Sequence, residues 1–433
     1  MNKITLKKLD LDIYTEVLDN GLRVYLCKIP RNTVHARMTS LFGGSILEFK
    51  VDGEYCKMPA GVAHFLEHKL FEKEDYDPSL IFEENGATCN AFTTPFITSY
   101  YFNGSDNFYD NLDNLLKLVH NPYFTDENVL KEKGIISQEK KADMDDPYSI
   151  IYDRSLINTF KNSDFKNTVL GSLEDINSIT KDDLYKCYNT FYHPSNIFLT
   201  ISGDIDIEKT MSFIKDFYKD KDFGSKKDII IKEKKEDENV VKELDYVYKD
   251  IKYKEVQVNY KVKNIHMFED EYLNSLYFSL ILDMNFGGLS DISDIAQRNS
   301  NFISGISSRI TKVDDYFVIS FHVSVKKNED EAIDIIDKTL KNFNYDKDDF
   351  SLLKKAILNS LILSTEDVNE ICHKIVNQIR LFGNVVDNEY ELISNIEFDT
   401  LKEFSSLINL DNRSVVVLEK KADRSDLKKI YTK

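Results

Sequence analysis

Apolar and polar residues alternate through residues 13–28, on either side of an Asn20-Gly21 pair. Such alternation around Asn-Gly predicts a β-hairpin closed by a tight turn. Stretches rich in β-branched and aromatic residues predict further strands at 34–47, 87–93, 97–103 and 196–203. Apolar residues at helical spacing predict helices at 59–72, 106–120, 125–143, 147–161, 180–191 and 206–219.

The second half of the chain repeats this order of elements. We predict strands within 244–264, near 301–311, at 315–325 and at 414–418, and helices at 269–285, 329–343, 347–362 and 366–380. The strand–helix–helix–strand order of 316–418 parallels that of 97–203. The pattern therefore predicts an α+β protein made of two duplicated halves, each an antiparallel-rich sheet covered by helices.

A charged segment separates the two halves. Residues 220–243 are dense in Lys, Glu and Asp and offer little apolar surface to bury, which favours a linker on the surface. We place an N-terminal catalytic domain at 1–225, a charged linker at 226–243 and a homologous C-terminal domain at 244–433. The metal motif described below occurs only in the first of these domains.

Composition narrows the class of protein. With 433 residues, 42% hydrophobic and 12% aromatic, the chain can bury the cores of two or three domains. It has no run of eighteen apolar residues, so we expect no transmembrane helix. Its first ten residues contain no continuous apolar segment, so we expect no signal peptide. The formal net charge of −18 argues against nucleic acid or an anionic membrane as a partner.

The cysteines indicate a reducing compartment. They are odd in number, scattered and without a CxxC pair, which is typical of reduced structural thiols and not of a disulfide framework. Together with the missing signal segment, they predict a cytoplasmic protein. The five are Cys27, Cys56, Cys89, Cys187 and Cys372.

The motif that carries chemistry is His64-x-x-Glu67-His68, inside the predicted helix at 59–72. Residues four apart on a helix lie on one face, so both imidazoles can reach one metal ion. Glu67 lies three residues from His64, on the same side, where it can contact a water on that ion. A hydrolytic zinc site needs these groups, because zinc acidifies its bound water and the carboxylate accepts the proton.

Two structural histidines beside a core, with a glutamate in a local salt bridge, are the alternative interpretation of this motif. The flanking residues Ala63, Phe65, Leu66, Leu70 and Phe71 make the helix largely buried. Burying two imidazoles and a carboxylate without partners is costly. The flanks therefore imply a metal ion or a dense hydrogen-bond network.

A catalytic zinc site takes three protein ligands, so the third must come from another element. The predicted helix at 125–143, with Thr125 as its N-cap, carries Glu132 and Glu139 two turns apart on one face. Of two carboxylates that point the same way, one can bind the metal, and the other can hydrogen-bond to a metal ligand and hold it in place. The alternative is that both are solvated helix charges.

The order His-x-x-Glu-His resembles the motif of the inverzincins, the pitrilysin/insulinase family of zinc peptidases. The resemblance is closest to the small bacterial processing-peptidase branch, among its YmfH-like members. It covers the first 210 residues well and the remainder weakly. Other stretches similar to family elements are residues 18–24 (opening hairpin), 61–71 (active-site helix) and 86–93 (substrate-binding edge strand).

The resemblance implies a mitochondrial-processing-peptidase-like fold, one Zn²⁺ per chain and a role for each motif residue. It assigns the metal ligands to His64, His68 and Glu139, and the catalytic proton transfer to Glu67. It makes Glu132 the residue that orients a ligand or the substrate. The spacing from His68 to Glu139 is slightly shorter than usual in the family, which a loop deletion explains.

Residues Asn90, Ala91, Phe92 and Thr93 fall in the stretch that resembles the substrate-binding strand. An exposed strand edge can hydrogen-bond an extended peptide by adding it to the sheet. Without the resemblance, a plain sheet edge explains these residues equally well.

The second half departs from the family pattern at one point. There the family carries an Arg and, seven residues later, a Tyr that bind substrate and stabilise the oxyanion of the reaction. Arg298 matches the first of the pair, but position 305 is Gly305. Either a partner subunit supplies the missing groups or the chain is catalytically weak. We favour a homologous partner, as a heterodimer or a homodimer.

The sequence thus predicts a zinc-dependent endopeptidase that hydrolyses short or unfolded peptides inside a cleft between two homologous halves. We expect it to be the metal-bearing subunit of a two-subunit peptidase. The alternative is a non-catalytic scaffold or peptide-holding subunit. The complete set of metal ligands favours the enzyme, and the missing Tyr favours the scaffold.

Overall fold

The computed structural model describes residues 1–421. Their strands are β1 (Asn2–Leu6), β2 (Leu11–Val17), β3 (Arg23–Lys28), β4 (Val34–Ser40), β5 (Glu48–Val51), β6 (Glu54–Lys57), β7 (Ala87–Thr93), β8 (Thr98–Gly104), β9 (Ile197–Gly203), β10 (Ile229–Ile231), β11 (Leu244–Lys249), β12 (Lys254–Lys263), β13 (Ser307–Val313), β14 (Tyr316–Val325) and β15 (Arg413–Lys420). Their α-helices are α1 (Val62–Phe71), α2 (Pro78–Glu84), α3 (Phe108–His120), α4 (Asp126–Asp143), α5 (Pro147–Thr159), α6 (Leu173–Ser178), α7 (Lys181–Phe191), α8 (Ile207–Tyr218), α9 (Glu271–Phe286), α10 (Asp291–Arg298), α11 (Glu329–Lys341), α12 (Lys347–Ser364), α13 (Val368–Phe382), α14 (Glu389–Ser394) and α15 (Phe398–Ser405). None of the helices in this described range combines the length and the apolar character needed to cross a bilayer.

A seven-stranded sheet in the first half has the order β1-β2-β3-β9-β4-β8-β7. The hairpin predicted around Asn20-Gly21 joins β2 and β3, and Gly21 has a positive φ of 90° that the turn requires. The strands β4 and β9 lie inside the sheet and are buried at every position, as expected for strands covered on both faces. The strand β7 lies at the edge of this sheet.

The five-stranded sheet of the second half has the order β11-β15-β12-β14-β13. Its one parallel pair joins the first and last strands along the chain, β11 and β15. The strands β3, β4, β7, β8 and β9 of the larger sheet follow the same order, and their parallel pair is again the first and last, β3 and β9. The two sheets are therefore copies of one topology, which confirms the predicted duplication. A small sheet, β10-β5-β6, accompanies the first copy.

The chain forms two compact units whose segments alternate in sequence. The first unit contains Met1–Lys140, Asn167–Glu233 and Ile357–Leu392. The second contains Lys141–Lys166, Lys234–Ala356 and the described residues from Ile393 onward. The division of the chain into domains at 1–225, 226–243 and 244–433 stays a prediction. Each compact unit also includes a short segment from the other side of that division.

The alternating segments supply helices that cover the sheets. In the first unit α13 packs on β4 and β9, where the Ser202 hydroxyl donates to the Val368 carbonyl at 2.5 Å. In the second unit α5 packs on β12 and β15, where the Asn259 amide donates to the hydroxyls of Ser155 and Thr159, both at 3.1 Å. A central strand must be covered on both faces, so each sheet takes one helix from a distant part of the chain.

The strand predicted at 34–47 is shorter in the structure, because β4 ends at Ser40. Beyond it, Gly43 packs directly against the turn that follows β7. A Cβ atom on Gly43 would lie 2.5 Å from backbone atoms of Phe96, and the Gly44 N–H donates to the Thr94 carbonyl at 2.9 Å. Close contact between two backbones replaces strand pairing here, and only glycine permits it.

The segment predicted as a charged linker contains a buried ion pair. Glu236 accepts hydrogen bonds from the backbone N–H groups of Lys161, Asn162 and Ser163 at 2.8, 2.7 and 2.6 Å. The Nζ of Lys261 donates to the same carboxylate at 2.9 Å, and the two side chains are 0% and 1% exposed. The linker is therefore anchored within the second unit at Glu236 and is not solvated throughout.

We expect Lys261→Met to lower the free energy of unfolding by about 3–5 kcal/mol, because the Glu236 carboxylate would stay buried without its counter-charge. Urea denaturation followed by circular dichroism measures this change. The matched control is Lys338→Ala, which breaks a pair with Asp334 whose side chains are 75% and 66% exposed. That variant should lose less than about 1 kcal/mol. Equal losses in the two variants would contradict the assignment of Lys261 as a buried anchor.

Candidate metal centre

The helix that carries the metal motif begins where two backbone segments touch. Gly61 precedes α1 with a φ of 88°, and a Cβ atom there would lie 2.3 Å from the Leu170 carbonyl oxygen. Only glycine accommodates both the left-handed conformation and this contact. The helix then buries Phe65 and Leu66 fully in the core, which fixes its rotation about its own axis.

This rotation brings His64 and His68 to one side of α1, with their ring centroids 4.6 Å apart. The Nε2 atom of His64 lies 3.7 Å from Oε1 of Glu139, and Nε2 of His68 lies 3.7 Å from Oε2 of the same carboxylate. Among residues 1–421, these three form the one group of potential metal ligands, with their ligand atoms within 4.8 Å of one another. Ligand atoms in a tetrahedral zinc site lie roughly 3.3 Å apart, given bonds near 2.0–2.1 Å. The donor set and its spacing therefore fit zinc.

Glu139 approaches the histidines from α4, whose beginning is capped as predicted. The Thr125 hydroxyl accepts from the Asn128 N–H at 3.1 Å, and the Asn128 side chain accepts from the Thr125 N–H at 2.9 Å. This reciprocal cap fixes the start of the helix. Val129 and Ile136 are buried in the core, and they fix which side of α4 the carboxylates occupy.

Glu132, one of the two predicted carboxylates of α4, contacts His68. Its Oε1 lies 3.0 Å from Nδ1 of the imidazole. Burial lowers the pKa of His68, but the bond to Glu132 and the neighbouring carboxylates outweigh burial and raise that pKa above its ordinary value. Burial likewise raises the pKa of Glu132, but the contact with His68 outweighs it and lowers the pKa. A carboxylate paired with Nδ1 fixes the ring and leaves Nε2 available to a metal.

His64 differs from His68 in its electrostatic environment. Burial, and then the charge of His68, lower the pKa of His64 to about 4. The ring is therefore neutral at pH 7, which is the form that binds metal. Its Nδ1 is buried and has no hydrogen-bond partner in the described part of the chain, so the polar contact of this ring is made through Nε2.

Glu67 is held by the strand that ends beside it. The Thr93 hydroxyl donates to Oε2 of Glu67 at 2.7 Å. Burial raises the pKa of Glu67, and the bond from Thr93 offsets only part of that rise. A carboxyl group whose pKa is raised toward neutrality suits a group that accepts a proton and returns it. The sequence identified Glu67 but gave no sign of its contact with Thr93.

The predicted substrate strand is an edge strand in the structure. β7 pairs with β8 on one side and ends the sheet on the other. The Ala91 N–H donates to the Asn90 side-chain oxygen at 2.8 Å. This N–H therefore points to the free edge of β7 and not toward β8. The Phe92 ring lies 5.5 Å from the guanidinium of Arg37, a buried cation that sequence reasoning did not identify.

The position that departs from the family pattern lies in the second unit. Arg298 ends α10, and its side chain is 82% exposed and donates to Asp294 at 3.0 Å. Seven residues later the chain has Gly305, which offers no hydroxyl group.

Two family models and a related sequence match this chain. Residues 57–173 match the family model described as insulinase (peptidase family M16), and residues 178–357 match the model described as the peptidase M16 inactive domain. The chain is 38% identical over 288 residues to the uncharacterized zinc protease YmfH of Bacillus subtilis (strain 168). That similarity covers 66% of this chain and 67% of YmfH.

Solved structures share the fold. An M16-like peptidase from Alicyclobacillus acidocaldarius superposes with a TM-score of 0.89 at 24% identity, over 95% of this chain and 99% of that one. The periplasmic protease PqqL from Escherichia coli superposes with a TM-score of 0.72 at 18% identity, over 96% of this chain but 48% of PqqL. Because the family models match more than half of its residues, the chain belongs to the insulinase family of peptidases, family M16.

Proposed function

We propose that this protein is a zinc-dependent endopeptidase that hydrolyses peptide bonds of short or unfolded chains, with one Zn²⁺ per chain. The observation that carries the proposal is the convergence of His64, His68 and Glu139 within 4.8 Å, with Glu67 adjacent in sequence to one of them. Membership of a peptidase family and similarity to a protein named as a zinc protease support the same class of reaction.

His64, His68 and Glu139 would hold the zinc ion, which when bound lowers the pKa of a coordinated water molecule and polarises a carbonyl group. The chain's own residues handle the proton. Glu67 accepts it on its carboxylate and returns it to the leaving amine, and its raised pKa suits both steps. Glu132 keeps the His68 ring in orientation through the contact at Nδ1.

The substrate backbone would lie along the free edge of β7. Asn90, Ala91 and Phe92 are the residues we assign to its alignment, because an extended peptide added to this edge would pair with the outward N–H of Ala91, between the other two. In the structure, the Asn90 side chain accepts the hydrogen bond of the Ala91 N–H. It must turn away for a peptide carbonyl to take its place.

A homologous partner subunit, either a second copy or a different chain, would supply the Arg and Tyr groups. The support for a partner is Gly305 at the position of the expected tyrosine. The match to PqqL covers less than half of that longer protein, so PqqL has room for two lengths of this kind in one chain. We place the protein in the cytoplasm, because its five cysteines are free thiols.

A non-catalytic, peptide-holding subunit is the second candidate function. The glycine at position 305 favours it, as does the match of residues 178–357 to a model described as an inactive domain. The ligand set with Glu67 beside it favours the enzyme.

Metal analysis and peptide cleavage distinguish the two functions. The purified protein should contain about one zinc per chain, and it should cleave an unfolded peptide until a chelator removes the metal. The assay compares the chain alone with the chain mixed with its co-purified homologue. Cleavage only in the mixture would assign the missing groups to the partner. A chain that carries no zinc after metal-replete purification would support the peptide-holding subunit.

A further inference from the structure

We infer that Thr93 is a positioning residue for Glu67, and that the strand proposed to align the peptide also orients the group proposed to transfer the proton. This inference rests on the proposed peptidase function. Thr93 is the last residue of β7, and its hydroxyl is the one hydrogen-bond partner of the Glu67 side chain within the described residues.

The direction of the hydrogen bonds around Thr93 follows from the available protons. The Thr98 hydroxyl donates its single proton to the Phe42 carbonyl at 2.9 Å. Thr93 lies 3.4 Å from Thr98 but 2.7 Å from the Glu67 carboxylate, and a carboxylate can only accept. The proton of Thr93 is therefore committed to Glu67. This bond fixes one carboxylate oxygen and leaves the other available.

The side chains of Thr93 and Phe92 lie on opposite faces of the sheet. Successive residues of a strand point to opposite faces of the sheet. Phe92 lies against Arg37 on one face, whereas the hydroxyl of Thr93 contacts Glu67 on the other. Thr93 thus acts on the reaction through Glu67, the group that its hydroxyl contacts.

The test compares three threonine variants in the protein with its co-purified partner. Thr93→Val removes the hydroxyl but keeps the shape, and we expect kcat to fall by about 10- to 100-fold, the effect of losing a hydrogen bond to a charged group. KM, zinc content and the thermal midpoint should stay at the wild-type values. Thr93→Ser keeps the hydroxyl and should restore most of kcat. Thr5→Val removes an exposed threonine hydroxyl that donates to the Asp12 carboxylate at 2.8 Å in β1; it is the matched control and should leave both constants unchanged.

Several outcomes would overturn the inference. A raised KM with unchanged kcat in Thr93→Val would make Thr93 a direct peptide contact, and unchanged constants would remove its role. A folded Thr93→Ser that stays as slow as Thr93→Val would show that the hydroxyl is not what matters. A crystal structure of Thr93→Val should show the Glu67 carboxylate turned from its present position, and an unmoved carboxylate would also refute the inference. Failure of the peptidase proposal itself is recognised separately, by unchanged protein that carries no zinc and cleaves no peptide with its co-purified partner.

Discussion

Glu67→Gln should abolish peptide hydrolysis, with kcat lower by at least about 100-fold, while zinc stays bound. Glutamine has the size of glutamate but cannot accept the proton. Its amide oxygen can still receive the Thr93 hydroxyl, which now donates to Oε2 at 2.7 Å, so the local geometry is kept. Steady-state hydrolysis of an unfolded peptide, together with metal analysis of the same sample, measures both parts of this expectation.

The matched control for this variant is Glu84→Gln, which changes an exposed glutamate at the end of α2. It removes the same charge from the first unit without touching the centre, and should retain activity. Full activity in Glu67→Gln would exclude Glu67 as the proton acceptor. Loss of zinc in Glu67→Gln would instead make Glu67 part of the metal site.

The parts of the centre that sequence predicted depend on local rules. Two histidines four apart on one helix must share a face, and the cap of α4 at Thr125 follows from the residues beside it. The family resemblance predicted that Glu132 orients a ligand or the substrate, and its Oε1 lies 3.0 Å from Nδ1 of His68. Each of these features needs only neighbours in sequence, or a motif spacing, to be recognised.

The parts that sequence did not predict depend on distant contacts. Polar residues alternate along β12 at Gln257, Asn259 and Lys261, and alternation alone assigns such a face to solvent. All three are buried, because α5, from the other side of the predicted domain division, covers that face. The contact between Thr93 and Glu67 is of the same kind, since nothing in either local sequence indicates the other residue.

The sequence pattern did not predict the shortest strands, for a different reason. The strands β5 and β6 contain four residues each, and so few positions give too little alternation to separate a strand from a loop. They are held by their pairing with each other and by β10, which pairs with β5 from far along the chain.

Glu139→Ala should remove zinc from the purified protein and with it all peptide cleavage, because it deletes one of three protein ligands. Glu132→Ala should weaken zinc binding by about 10- to 100-fold without abolishing it, because Glu132 acts through the His68 ring. Competition with a chromophoric zinc chelator measures both affinities. Glu127→Ala, at an exposed position on the same helix, is the control and should bind zinc as the unchanged protein does.

The order of these affinities tests the assignment of ligands independently of catalysis. The Glu139 side chain is 45% exposed, so its truncation removes little buried surface and the metal-free variant should unfold at the same temperature as the metal-free wild type. A loss of zinc in Glu139→Ala therefore reports a lost ligand and not a lost fold. If Glu139→Ala bound zinc as tightly as Glu127→Ala, the ion would lie elsewhere, and the contact of Glu139 with both Nε2 atoms would be electrostatic only. If Glu132→Ala lost more zinc than Glu139→Ala, the two carboxylates would have exchanged roles, with Glu132 as the ligand.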